Sequence, residues 1–161
     1  MYRKHGLNRV GKSEKQKLVN KLDIALAKLI KIRDVGEPCI TCPRFPQEND
    51  DPRAWHAGHF RPRGSMATRF NPSNINKQCA GCNVYGDGKA YEHGIAIDQK
   101  YVQGTAGRLY QLSKTIKQWE TRELEQLISA AKKGYPVYVQ LYNELMPLAA
   151  AGTPLNPHLL S

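Results

Sequence analysis

Long apolar runs are missing from this 161-residue chain. No stretch approaches the roughly 18 consecutive apolar residues that a membrane helix needs, so no membrane partner is expected. The opening segment, Met1 to Lys12, is basic with no apolar run behind it, and no secretory signal is expected there. Acidic residues are scarce as well: 14 Asp and Glu stand against 24 Lys and Arg, a formal net charge of +10. That balance favours a polyanionic partner. Nucleic acid leads, because the basic residues interleave with histidine and aromatic positions rather than lining one amphipathic helix. A generically basic, solvated surface is the plain alternative. Low-complexity tracts are absent, and nothing repeats beyond two C-x-x-C pairs that use all four cysteines. The length suits one domain, or a small core with a helical extension.

Residues 1–12 read as a basic flexible arm. Ser13 and Gln16 then have the form of a capping box, and Leu18, Leu22, Ala25, Leu26 and Leu29 recur at helical spacing behind them. An N-terminal helical segment over 13–36 follows, stopped by Gly36 and Pro38. Ala54 to Phe60 reads as a strand, Arg61 to Arg69 as a basic loop, and Asn74 to Gln78 as the lead into the second cysteine pair. A helix is expected from about Ala90 to before Gly104. The region 104–148 reads as helical, with Thr121 as N-cap of a helix to Lys133 and another helix from Val137 to Leu145. Residues 149–161 read as a flexible tail.

Cys39 and Cys42, with Cys79 and Cys82, supply four thiolates, the usual complement of a closed, structural zinc site. About 36 residues separate the pairs, more than the roughly 15–20 of a zinc ribbon, so the insert must fold as a unit held at both ends by the metal. Metal is favoured over disulfides in a chain without secretory features. The zinc should fix the histidine-bearing strand against the helix after Cys82. Asp50 and Asp51 read as a solvated turn rather than a metal pair.

The stretches P-C-I-T-C, A-G-H-F, R-F-N-P-S-N-I-N-K-Q-C and C-N carry a resemblance. Together they resemble the NinG/Rap family of lambdoid phage recombination endonucleases, of the HNH or His-Me finger type, over about residues 37–95. The resemblance implies an α+β fold with a small zinc-stabilised ββα-metal core (HNH, treble-clef-like) over 37–103 and flanking helices. It also implies metal-dependent hydrolysis of branched DNA, such as Holliday junctions and D-loops, in the bacterial cytoplasm by a phage- or prophage-encoded enzyme. His59 matches the general base. Asn74 matches the central Asn that holds the loop and orients the base. Asn83 matches a metal ligand, with His56 as the second, for a catalytic Mg²⁺ or Mn²⁺. Arg61, Arg63 and Arg69, with Lys77 and Lys89, would contact phosphates, and two-strand cleavage implies a homodimer in which the N-terminal helix is a candidate interface.

The chain departs from the pattern at Gly58, where HNH enzymes usually carry a carboxylate or His, and at His56, where relatives tend to carry Asp. Without a carboxylate, either a softer ion such as Mn²⁺ is favoured or Asp87 closes the site. His5, His93 and His158 lack such context and read as structural or surface residues; Trp55, Phe60 and Phe70 read as core. Two alternatives stay open: a general HNH nuclease on duplex DNA, and a non-catalytic zinc module that binds DNA.

Overall fold

The computed structural model describes residues 13–146; the arm at 1–12, the whole of the tail at 149–161, His5 and His158 lie outside the described residues. α1 spans Glu14–Arg33, and the Ser13 hydroxyl accepts from Gln16 N at 3.2 Å; the Gln16 side chain donates forward to Asn20 instead of back to Ser13, so only half of the expected capping box forms. β1 (Trp55–His59) and β2 (Ile75–Cys79) form a two-stranded antiparallel sheet. Between them lies α2 (Met66–Arg69), a single helical turn where a basic loop is expected. α3 (Ala90–Lys100), α4 (Thr105–Leu112), α5 (Thr121–Lys133) and α6 (Tyr135–Leu145) complete an α+β architecture.

Two helix starts differ from the sequence expectation. Glu120, not Thr121, caps α5: its side chain and that of Glu123 form a reciprocal capping box. Leu124 N also bonds Glu120 O, so the first helical hydrogen bond begins one residue earlier. α6 begins at Tyr135, because Pro136 sits in the first turn, where its missing N–H costs nothing.

The main core packs α1 against α5 and α6, with Leu22, Leu26 and Ile30 facing Leu124, Leu127, Tyr138 and Tyr142. Three aromatic side chains reach from this core to the β1–β2 connection. Trp119 Nε1 donates to Met66 O at 2.9 Å, Tyr138 OH to Phe70 O at 2.8 Å, and Tyr142 OH to Ala67 O at 3.4 Å. Each ring buries apolar area while its polar tip satisfies a backbone carbonyl. The connection is thereby tied to the helical layer rather than left as a free loop.

A buried ion pair joins the layers. Arg33 and Asp34 are 3% and 2% exposed and 2.7 Å apart. Arg33 also donates to Pro72 O, Ile75 O, Asn76 Oδ1 and Tyr135 OH. Asp34 accepts from Lys77 N and Lys100 Nζ. The end of α1 is thus fastened to β2, α3 and α6.

Candidate metal knuckle and strand-end site

The four cysteines converge: their sulfur atoms all lie within 4.8 Å of one another, and Cys42 and Cys79 are 3.9 Å apart. Thiolates at the Zn–S distance of about 2.3 Å form a tetrahedron with edges near 3.8 Å, so the residues fit zinc. Cys79 N donates to Cys39 Sγ at 3.3 Å, and the Thr41 hydroxyl lies 3.4 Å from the same sulfur. Burial opposes ionisation, yet the Thr41 and backbone hydrogen bonds hold Cys39 at about 7. Cys42 is pushed up to about 12 by burial and the neighbouring sulfurs. A divalent cation supplies the charge that four converging thiolates need. Trp55 packs against this cluster and donates Nε1 to Asp50 at 2.9 Å. Asp50 also accepts from Gln47 N and Arg44, while Asp51 accepts from Arg53 N, so the two acids organise a turn.

Strand pairing sets which residues share a face. Trp55 pairs with Cys79, Ala57 with Lys77 and His59 with Ile75, and this set lies toward α1, where Ala57 and Ile75 join the main core. His56 and Gly58, opposite Gln78 and Asn76, occupy the other face. That face meets the π-helical turn Gly81–Tyr85, which presents Asn83. Asn83 Nδ2 donates to His56 Nδ1 at 2.8 Å, and His56 Nε2 donates to Arg53 O at 3.0 Å. Because a carbonyl only accepts, the His56 proton sits on Nε2 and the Nδ1 lone pair faces Asn83. A metal-ligating imidazole is held in the same way, its distal N–H on a backbone carbonyl.

His59 ends β1 on the opposite face from His56. Its Nε2 donates to Arg69 O at 3.1 Å, leaving Nδ1 unprotonated. Burial and the nearby Arg63 guanidinium lower its pKa to about 4. Asn74, 0% exposed, holds the turn behind it. Its Oδ1 accepts from Arg61 N at 2.7 Å, and its Nδ2 donates to Arg61 O and Thr68 O at 3.1 and 3.0 Å. All three contacts are to backbone, which suits a residue that fixes loop shape and does no bond chemistry.

Of the basic residues expected at phosphates, Lys77 must be removed. It is 5% exposed, with Nζ on Asp34 O at 2.5 Å. Arg69 is paired with Asp23 at 2.6 Å and partly buried, so its charge is already met inside the fold. Arg63 is exposed. Arg61 stacks over Tyr110 at 4.9 Å, and Lys114 lies over the same ring at 4.7 Å. Tyr110 and Lys114 escape sequence reading because only the docking of α4 brings them to the strand end. Lys89 is partly exposed, and Asp87 is exposed beside it. Among the described residues, no third His, Cys, Asp or Glu joins His56 in a group with metal-ligand spacing. His93 is 0% exposed, with burial lowering its pKa to about 4; its ring lies 5.7 Å from Phe60, so its structural reading stands.

A thiol-cornered hairpin carried among helices makes this an α+β protein with a knuckle suited to structural zinc. It belongs to the NinG family of lambdoid phage proteins, matching the family described as Bacteriophage Lambda NinG protein over residues 3–136. It is similar to Protein ninG of Escherichia phage lambda, 32% identical over 45% of this chain and 34% of that protein. Protein ninG of Salmonella phage P22 is 30% identical over 47% of this chain and 36% of its own length. The chain therefore spans about a third of the curated relatives it matches. No solved structure matches it. No described helix is long and apolar enough to cross a membrane.

Proposed function

We propose that the chain is a metal-dependent endonuclease of the HNH type, acting in recombination on branched DNA such as Holliday junctions and D-loops. The observation that carries this reading is the pairing of His56 Nδ1 with Asn83 at 2.8 Å on the face of β1 that presents Gly58. That contact is a hydrogen bond from the Asn83 NH₂, so a Mg²⁺ or Mn²⁺ held by His56 Nδ1 and Asn83 Oδ1 would take the place of that bond. Such an ion would polarise a scissile phosphate and stabilise the departing oxygen.

Every other part of the chemistry falls to the chain. His59 follows Gly58 directly, so a phosphate laid across the end of β1 meets both faces of the strand. Nδ1 of neutral His59 takes a proton from the attacking water, and the Arg69 carbonyl keeps the ring oriented through Nε2. Asn74 holds the turn that carries Arg61, and Arg63 gives an exposed cation beside it. The net charge of +10 supports a polyanionic substrate. Preference for branched DNA rests on the family resemblance. A homodimer through α1 is part of the proposal; Ile24 and Ile32, 61% and 71% exposed on that helix, support it.

The test is incubation of zinc-loaded protein with a labelled four-way junction and a matching linear duplex, with Mg²⁺, Mn²⁺ or EDTA. Junction-selective nicking that EDTA abolishes is the expected result. Equal cutting of both substrates would make it a general duplex nuclease. Binding without nicking at any Mg²⁺ or Mn²⁺ concentration would make it a zinc-dependent DNA-binding module.

A further inference from the structure

Gln78 sits opposite His56 in the sheet and is 0% exposed. Its Nε2 is fully used, donating to Thr41 Oγ1 and to Gly88 O at 2.9 Å each. Its Oε1 is buried with no hydrogen-bond partner. A buried amide oxygen left unpaired keeps its full desolvation penalty, so an orphan of this kind needs a reason.

The direction of that oxygen supplies one. A Cβ built on Gly58 would fall 2.2 Å from Gln78 Oε1 and 3.1 Å from Asn83 Oδ1. Two amide oxygens therefore converge on one point beside Gly58, and any larger residue at 58 would fill that point. The Asn83 oxygen faces it because its NH₂ is engaged by His56 Nδ1. Two acceptors aimed at one spot repel each other unless something positive lies between them, and hard divalent cations take oxygen ligands at about 2.0–2.6 Å. Position 58 is where related nucleases usually carry a carboxylate or His; here the side chain is absent and an oxygen arrives from the neighbouring strand instead.

We infer that Gln78 Oε1 is a ligand, beside Asn83 Oδ1, of the divalent cation proposed above, that His56 Nδ1 joins them by exchanging its hydrogen bond from the Asn83 NH₂ for the metal, and that Gly58 is glycine to admit Gln78 Oε1. The inference rests on the cation site proposed above and adds the donor that the missing carboxylate leaves wanting. It also couples the two metal sites. The Thr41 hydroxyl that accepts from Gln78 lies 3.4 Å from Cys39 Sγ, so the zinc knuckle orients the amide. An uncharged set of two amides and one imidazole favours Mn²⁺ over Mg²⁺.

Mn²⁺ titration of the zinc-loaded full chain, followed by electron paramagnetic resonance, reads this without reference to cleavage. Gln78→Met keeps the length of the side chain and removes the oxygen. It should weaken Mn²⁺ binding at least about tenfold with zinc content unchanged. Since Gln78→Met also loses the bonds to Thr41 and Gly88, a second measurement uses the unaltered protein. Substoichiometric Mn²⁺ should broaden the Gln78 side-chain amide resonances in ¹⁵N-labelled protein and spare those of Gln16. Gln78 resonances that survive Mn²⁺, or parent-like Mn²⁺ affinity in folded Gln78→Met, would overturn the inference. If His56→Ala and Asn83→Ala weaken Mn²⁺ binding in that case, the cation site itself stands without Gln78. A parent protein that binds no Mn²⁺ removes both.

Discussion

An imidazole whose Nε2–H is committed to the Arg69 carbonyl has only Nδ1 left for proton transfer. His59 is in that state, and burial beside Arg63 keeps it neutral down to about pH 4. A general base works while neutral, so the acid limb of kcat/KM should fall below about pH 5 rather than near the ordinary histidine value of about 6.5. A limb near 6.5 would mean that the titrating base is another group. Stability follows the same shift. Below about 6.5 the unfolded chain takes a proton that folded His59 refuses until about pH 4, so its contribution is lost as pH falls across that window. His59→Ala should lower cleavage about 10²–10⁴-fold and leave junction binding and zinc content intact. Parent-like cutting would move the base elsewhere. His56, His59, Asn74 and Asn83 are picked out in the sequence by the resemblance to HNH enzymes. That His56 and His59 leave β1 on opposite faces is a consequence of strand alternation, which three-residue spacing implies once the strand is established.

At the scale of elements, the hairpin and the two knuckles form one unit. Ile40 N donates to Lys77 O at 3.0 Å, so the first knuckle extends the edge of β2, and the cysteines close the corner. One equivalent of zinc is expected by elemental analysis. Metal binding in small zinc modules is worth about 10–16 kcal/mol, comparable to the whole stability of a domain. Stripping it should therefore unfold the hairpin and shift Trp55 fluorescence, because that ring packs on the cluster. Cys79→Ala should behave like the stripped protein. Unchanged Trp55 emission after verified zinc loss would show a hairpin that stands without metal. α1 is legible in the sequence from its apolar spacing and Ser13 cap. α2 is not: its single turn, Met66–Arg69, is held by carbonyl contacts from Trp119, Tyr138 and Tyr142, which lie about 50 to 75 residues away in sequence.

Over the whole molecule, Asp34 joins parts that sequence reading treats as separate. Its carboxylate meets Arg33, Lys100 and the backbone of Lys77, and despite burial these partners hold it at about 2. Asp34→Ala would leave two cations facing a buried gap and should cost about 3–5 kcal/mol, read as a lower urea midpoint for zinc-loaded protein. A loss under about 1 kcal/mol would show that solvent replaces the carboxylate. Its depressed pKa means the stabilisation is present above about pH 3.8 and is lost as pH falls toward 2. The surface charge is also a property of the whole fold. If six phosphates are neutralised, log K for DNA should fall with log salt at a slope near −5. A flat response would mean that the basic surface does not lead binding.

Local chemistry of the sequence by itself determined the four-cysteine knuckle, the amphipathic α1, the strand before the basic loop and the excess of positive charge. Each depends on residue type and short spacing, and the covalent chain imposes those directly. Tertiary structure alone decided which charges are free. Lys77 and Arg69 look like phosphate contacts in the sequence, yet Lys77 is buried on the backbone carbonyl of Asp34 at the end of α1 and Arg69 is paired with Asp23 within it. It also decided that Gln78, an unremarked polar residue beside a cysteine, is buried with its oxygen aimed past Gly58. Desolvation and cross-strand pairing set these roles, and both depend on neighbours far apart along the chain.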